Sequence, residues 1–559
     1  MPSLPLTTSY WPADTTQPIL DTTVGGVLRT AAERAPELPA LTAGETEPAR
    51  RRQWRYAELF AGAERAACSL RERFEPGEPV AVWAGNCPEW VQLEFAAGLA
   101  GLTLVPVNPA YQADELAYVL RHSRARGLFL AGEHHGRPLP PVLAQVRGRL
   151  PDLREVIRLG AWHQFCDTKS TGGLPHVDPG SAAQILYTSG TTGRPKAAVL
   201  THRGLTNNAR LAAGAIGLQP GEAAVNPMPL FHIAGCGLLT LGLAQVTGHH
   251  VLMPRFTPGR QLELLETYRS ALLGGVPTML TALLTHPALA RWDLSGLRCA
   301  LAGGAPVPPI LVRQVEERFG IPFVITFAQT ESSCSITATR PDDAAPDRRY
   351  TAGRPLPQTE VKITAPGRAE PVPPGTTGEI CTRGYLVMRG YADDPRATLA
   401  AIDANGWLHT GDLGSMDARG YVRVAGRLKE MILRGGENIY PREIEAVLLA
   451  HPAVADAAVV GVADRFWGEV VGAAIRPAPD AAPPSEADLA AFCRRRLAPF
   501  KVPDRWLLLA GFPLTSTGKV RKDQLGELFA GSGDRPAQPV TQPATQPATQ
   551  PATQPVTQS

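Results

Sequence analysis

The apolar positions of this chain change period along its length, and the period marks the elements. Residues 78–85, EPVAVWAG, form a short continuous apolar run bounded by turn residues, as in a strand buried on both faces. EWVQLEFAAGLAG (89–101) has the length and composition of a buried helix, and LTLVPVN (102–108) returns to the strand pattern. Further on, ILYTSGTTG reads as a strand running into a loop, and KAAVLTH as a second strand. Thr201 then stands as the N-cap of a helix over HRGLTNNARLAAGA. Strands alternating with helices predict an α/β architecture with a mostly parallel sheet covered on both faces. The most apolar window, IAGCGLLTLGLAQV (233–246), is too short and glycine-rich to cross a bilayer, so a buried core helix is expected there.

A second pattern begins near Lys429. After GRLKEMILRGGENIYPREIEAVLLAHPAV come strand, helix and strand signals that fit a domain of roughly 100 residues. RPAPDAAPPSEAD (476–488) has loop composition and should join a strand to the helix at DLAAFCRRRL. The tandem TQPA units from 536 to 559 cannot bury enough apolar surface to offset the entropy of ordering, so a disordered tail is expected. The expected division is 1–428, 429–530 and a tail over 531–559. ARRRQWRY (49–56) is read as a solvated charge run before an amphipathic helix, in preference to an anion site.

Composition narrows the function. At 559 residues the chain exceeds one hydrophobic core. A formal net charge of +3 leaves no footprint for nucleic acid or an anionic membrane. Eight cysteines without a CxxC pair suit free thiols in a reducing compartment. MPSLPLTTSYWPADTT lacks a basic segment followed by an apolar run, so no signal peptide and a cytoplasmic location are expected.

Candidate chemistry starts at YTSGTTGRPK (187–196). Gly190 and Gly193 permit close approach, Thr188, Ser189, Thr191 and Thr192 bring hydroxyls, and Lys196 adds a point charge: the parts of a phosphate cradle. The Walker A spacing is absent, because Pro195 falls where its second glycine belongs and Ala197 follows the lysine. Alone, the stretch is as readily a surface turn. It is followed in order by PLFHIAG (229–235), AGGAP (302–306), FAQTE (327–331), GWLHTGD (406–412), GRLKEMILRGGENIYPREIE (426–445) and PLTSTGKVRK (513–522). This ordered set resembles the acyl-adenylate-forming (AMP-binding) superfamily of acyl-CoA synthetases, adenylation domains and luciferases.

The resemblance implies a large N-terminal adenylate-forming domain of layered α/β subdomains and a small mobile C-terminal α+β domain. It implies ATP, Mg²⁺ and coenzyme A as the small molecules. Thr188, Ser189, Gly190, Thr191, Thr192, Gly193 and Lys196 would hold the β- and γ-phosphates. Thr330 would meet the α-phosphate and Glu331 would ligate Mg²⁺. Phe327 would stack on adenine, with the backbone of Gly303, Gly304 and Ala305 along the base edge. Asp412 and Arg427 would bind the ribose hydroxyls. Lys519 would be the catalytic lysine of adenylation, Lys429 the hinge, and Gly435 and Gly436 the loop along the pantetheine arm of CoA.

His232 would border the acyl carboxylate and the thioester channel. It stands where amino-acid-activating relatives carry an aspartate, and a buried α-amino group without that anion would cost several kcal/mol. Amino acids are therefore disfavoured. Phe327-Ala328 departs from the superfamily's usual Tyr-Gly; the aromatic face survives, and the Ala328 methyl is expected to narrow the acyl pocket. CTRGYLVMRGYADDPRATLAAIDANGWLHTGDLG and ILRGGENIYPREIE resemble medium- and long-chain fatty acyl-CoA ligases, so an acid–CoA ligase is implied. The alternatives are an acyl-AMP ligase serving an acyl carrier protein and a non-catalytic binding protein on the same fold; aryl acids stay open.

Overall fold

The strand expected at 78–85 forms over Pro79–Trp83, and its two faces enter two different cores. Val80 and Val82 pack into one, Ala81 and Trp83 into the other. This is why the sequence there shows no polar alternation: neither face meets water. A computed structural model of the chain describes residues 5–45, 47–167, 173–188, 195–435, 437–479, 481–514 and 520–531. The chain divides into two compact units, the first over Met1–Met431 with Leu514–Lys519 and the second built on Ile432–Pro513 and the chain from Val520.

Among the described residues the first unit holds a seven-stranded, a nine-stranded and a five-stranded sheet, and a small hairpin. The seven-stranded sheet is parallel from Ala182–Thr188 through Thr103–Val107, Pro79–Trp83 and Gly127–Leu130 to Glu155–Arg158. Lys196–Thr201 and Gly390–Tyr391 add antiparallel at its edge. The nine-stranded sheet is parallel from Phe323–Gln329 to Pro39–Ala43, with antiparallel strands at both edges.

Helices Val24–Arg34, Tyr56–Arg71, Pro88–Ala100 and His202–Ile216 share one core with inward residues of both large sheets, among them Val82 and Leu104 of one and Leu301 and Val324 of the other. On the far side of the nine-stranded sheet, Ala300, Ala302, Phe323 and Ile325 pack on helices Pro258–Thr267, Pro277–Leu284 and Pro309–Phe319. On the far side of the seven-stranded sheet, Ala113–His122 and Pro140–Val146 close the stack. Helix and sheet thus alternate in five layers, the layered α/β arrangement expected.

The third sheet is wholly antiparallel, in the order Tyr10–Trp11, Thr359–Thr364, Gly378–Gly384, Leu408–Met416, Val422–Arg427. The second unit is α+β. Helices Pro441–Leu449 and Glu486–Arg494 cover one face of its sheet and Lys522–Gly531 the other.

Local signals act where the chain places them. Thr201 Oγ1 accepts from Gly204 N at 3.0 Å to cap its helix. Gly101 (φ +70°) ends the helix over Pro88–Ala100, and Ser485 caps the helix Glu486–Arg494, which begins within the 476–488 stretch read as loop. Two expectations need correction. Residues 234–240 form a π-helix, Ala234–Thr240, before regular helix resumes over Leu241–Gln245; apolar composition fixes burial but not the winding. The charge run at 49–56 is not uniformly solvated. Trp54 is buried in strand Gln53–Arg55, and Arg51, its side chain only 7% exposed, pairs with Glu263. Among the described residues no helix is long and apolar enough to cross a membrane, and the eight cysteines are free.

Candidate active site

The strands that flank the glycine-rich stretch, Ala182–Thr188 and Lys196–Thr201, pair antiparallel. Thr188, the last residue of the first, pairs in register with Lys196, the first residue of the second. Ser189, Gly190, Thr191, Thr192 and Gly193 lie outside the described residues. This end of the strand pair meets Glu331: Thr188 Oγ1 reaches Glu331 Oε1 at 3.5 Å, and Tyr391 donates its hydroxyl to the same oxygen at 2.9 Å. Lys196 Nζ lies 4.7 Å from the centroid of the Tyr391 ring. Burial, and then the Glu331 carboxylate, push the Tyr391 phenol upward, so it stays a proton donor at neutral pH. A carboxylate beside a hydroxyl is a hard oxygen donor set, the kind magnesium prefers.

Glu331 sits in the 3₁₀ turn Thr330–Ser332 at the end of strand Phe323–Gln329. Ser333 (φ +53°) and Cys334 (φ +110°) follow in the left-handed region, turning the chain sharply back into the next strand. The turn is tied down: Met388 N donates to Glu331 O at 2.9 Å, and Ser333 Oγ to Leu386 O at 2.8 Å. Within the strand the ladder slips between Phe327 and Ala328, and the half-buried Phe327 packs against the cores on both sides. Gly303, in the neighbouring strand Cys299–Gly303, pairs with Thr326, and a Cβ there would stand 2.7 Å from Thr326 O. Gly304 (φ +72°) and Ala305 continue past that strand end.

Two residues before Glu331, Gln329 holds the second group. Its Nε2 donates to Asp412 Oδ2 at 2.5 Å and to Thr410 O at 2.9 Å. Asp412 is 3% exposed and stands directly across the ladder from Arg427, whose Nε lies 2.9 Å from Asp412 Oδ1. Asp412 owes its position to a bulge. Glu379 pairs with Leu413 but Cys381 pairs with His409, so strand Leu408–Met416 carries extra residues there, and Gly411 takes φ +67° to absorb them. Glu379 Oε1 accepts from Gly411 N at 3.1 Å and pins the bulge.

Thr188, Lys196, Thr330, Glu331, Asp412 and Arg427 are thus joined through a three-residue stretch, Gln329 to Glu331. His232 lies in the turn before the π-helix; its carbonyl accepts from Gly235 N, Cys236 N and Cys236 Sγ. Lys429 lies in the short turn Leu428–Glu430, just before the first unit ends. Gly435, in the second unit, has φ +56°, and a Cβ there would stand 2.7 Å from the Trp467 ring. Gly436 and Lys519 lie outside the described residues. Sequence reasoning missed Gln329 and Tyr391. Gln329 sits inside FAQTE, one residue from Thr330; Tyr391 carries no local signal, because only the pairing of Gly390–Tyr391 with Lys196–Thr201 brings it to the loop.

Comparison with known proteins gives this arrangement its context. The sequence profile described as AMP-binding enzyme matches residues 28–392, and that described as AMP-binding enzyme C-terminal domain matches 443–519. The medium-chain acyl-CoA ligase ACSF2 of Danio rerio is 34% identical over 562 residues, covering 94% of this chain and 91% of that one. A feruloyl-CoA synthase of Amycolatopsis sp. is 38% identical over 475 residues, covering 85% and 94%. Among solved structures, ATP-bound MatB from Rhodopseudomonas palustris superposes with a TM-score of 0.82 at 27% identity, over 91% of this chain and 99% of that one.

Proposed function

This chain belongs to the AMP-binding enzyme family, and from that premise we propose that it is an ATP-dependent acyl-CoA synthetase whose acid is a medium- or long-chain fatty acid. A carboxylate oxygen attacks the α-phosphorus of ATP and the bond to pyrophosphate breaks. The CoA thiolate then attacks the acyl carbonyl, and AMP leaves. The observation that carries this reading is the convergence at Gln329–Glu331: one end holds Asp412 and Arg427, the other meets the strand pair that flanks the glycine-rich stretch.

Asp412 accepts hydrogen bonds from the ribose hydroxyls while Arg427, 2.9 Å from its Oδ1, orients the carboxylate. Thr188 and Lys196 anchor the loop under the outer phosphates, and Thr330 donates toward the α-phosphate. Phe327 gives adenine an apolar face between the strand-end glycines Gly303 and Gly304 and Ala305. Glu331 and Thr188 would hold Mg²⁺, which supplies neutralisation of phosphate charge when bound. Lys519 would contribute charge in the first half-reaction, Lys429 would be the hinge, and Gly435 and Gly436 would flank the thiol's path in the second. His232 would border the acyl carboxylate.

The relative named as a medium-chain ligase supports the aliphatic acid, and the feruloyl-CoA synthase supports a second reading with an aryl acid. Pyrophosphate release with ATP and Mg²⁺ separates them when fatty acids of graded length and hydroxycinnamates are compared, each with and without CoA. Release with saturated fatty acids, and acyl-CoA formation only when CoA is added, is expected. Release with hydroxycinnamates alone would replace the fatty acid. Transfer only to a carrier protein would replace CoA, and no release with any acid would leave a binding protein.

A further inference from the structure

In the antiparallel sheet, Glu379 and Cys381 lie two apart on strand Gly378–Gly384, and the register sets His409 directly opposite Cys381. A carboxylate, a thiol and an imidazole thereby present one donor atom each, all within 4.8 Å of one another. Glu379 Oε2 is 2.9 Å from His409 Nδ1, and Cys381 Sγ is 3.5 Å from that same nitrogen. Glu379 and Cys381 are buried and His409 is half-buried. We propose that these three side chains form a binding site for one thiophilic divalent cation of the zinc type, separate from the magnesium that accompanies ATP.

Two of the separations suit such an ion closely. Donors about 2.0–2.3 Å from a tetrahedral centre stand about 3.3–3.8 Å apart, so the sulfur–nitrogen distance fits as it is and the oxygen–nitrogen distance has only to open slightly. Zinc is satisfied by nitrogen, sulfur and carboxylate oxygen together, and three protein ligands leave a fourth position for water. Asp403 Oδ2 lies 3.9 Å from His409 Nε2, so the imidazole can keep its proton there and turn the Nδ1 lone pair toward Glu379 and Cys381.

The proton balance is explicit. On binding, the S–H bond breaks, a sulfur–metal bond forms, and one proton goes to solvent. His409 would bind through Nδ1, with the proton of the neutral ring on Nε2. A dication, one carboxylate and one thiolate then sum to zero, which suits a buried position.

The test uses the full chain, stripped with a chelator and titrated with Co²⁺ in excess Mg²⁺. The expected result is one equivalent bound, with a near-ultraviolet thiolate-to-cobalt band that Zn²⁺ abolishes. Cys381→Ser should remove that band and weaken Zn²⁺ about 100-fold or more, and His409→Asn should weaken Zn²⁺ about tenfold or more while the band remains. Zn²⁺ affinity should rise about tenfold per pH unit between pH 6 and 8, with one proton released per ion into a dye-buffered solution. Melting curves without metal establish that each variant folds; should Cys381→Ser not fold, His409→Asn and proton release decide. No thiolate band, a band unchanged in Cys381→Ser, or a pH-independent affinity would each overturn the proposal.

Discussion

Replacing Asp412 by asparagine tests the ribose assignment with almost no change of shape. The carboxylate is held on one oxygen by Gln329 and on the other by Arg427. Gln329 cannot flip to accommodate an amide, because its Nε2 also donates to Thr410 O. The asparagine must therefore turn its oxygen toward Gln329 and its NH₂ toward Arg427. Arg427 is 48% exposed on its side chain, so it can leave for solvent. Little stability is lost: about 1 kcal/mol for a partly solvated pair, or a few degrees at most in Tm for a chain this long.

Nucleotide binding should suffer far more. One oxygen that accepted a hydrogen bond from a hydroxyl has become a donor, and a charge-assisted hydrogen bond is worth about 1.5–3 kcal/mol, or about 10- to 150-fold. ATP–pyrophosphate exchange at saturating acid should show KM for ATP raised by that factor. The preference for ATP over its 2′,3′-dideoxy analogue should collapse in the same variant. A KM within twofold of wild type, with the dideoxy preference intact, would remove Asp412 from the nucleotide site.

Four further outcomes are expected. Glu331→Gln should raise the Mg²⁺ concentration for half-maximal adenylation about tenfold or more while the Tyr391 contact is retained, as a Mg²⁺ titration would read. Lys519→Ala should slow adenylation by about two to three orders of magnitude, about 3–4 kcal/mol, yet spare thioester formation from supplied acyl-AMP; equal loss in both half-reactions would refute its role. Gly435→Val meets the left-handed backbone penalty of about 1–2 kcal/mol and the Trp467 ring, so CoA-dependent turnover should fall with pyrophosphate exchange preserved. Acid should destabilise the first unit through three buried histidines: burial holds His202 and His249 to about 4 and His250 to about 3. Each is neutral when folded, so its contribution is complete above pH 6.5 and is lost as pH falls toward 4, by up to about 1.4 kcal/mol per unit per histidine; an urea midpoint flat between pH 6.5 and 4.5 would contradict this.

The strand and helix pattern was legible because the elements of the large sheets obey local rules. Pro79–Trp83, Pro88–Ala100 and Thr103–Val107 fall within two residues of their expected bounds, since composition, length and the Gly101 terminator all agree. The π-helix was not legible, because π and α winding bury the same residues. Nor was the buried Arg51, whose partner Glu263 lies 212 residues on. The same limit governs the candidate site. Glu331 and Asp412 stand in motifs that could be ordered along the chain, whereas Tyr391 joins them only through an edge-strand pairing. The bulge that aims Asp412 is a property of two strands counted against each other, and neither strand announces it alone.

The helical layer shared by the two large sheets has a consequence for how this protein can be divided. Val24–Arg34, Tyr56–Arg71, Pro88–Ala100 and His202–Ile216 turn their apolar sides into this layer, and Pro88–Ala100 is buried almost throughout, so each sheet supplies the lid for the other. A fragment ending anywhere between the sheets would leave a naked oily slab and should precipitate, not persist as a half-protein. A cut between Met431 and Ile432 divides none of the hydrophobic clusters, because each draws its residues from one side of that bond. Split-protein reporters or interchange of the smaller piece between relatives would have to cut there.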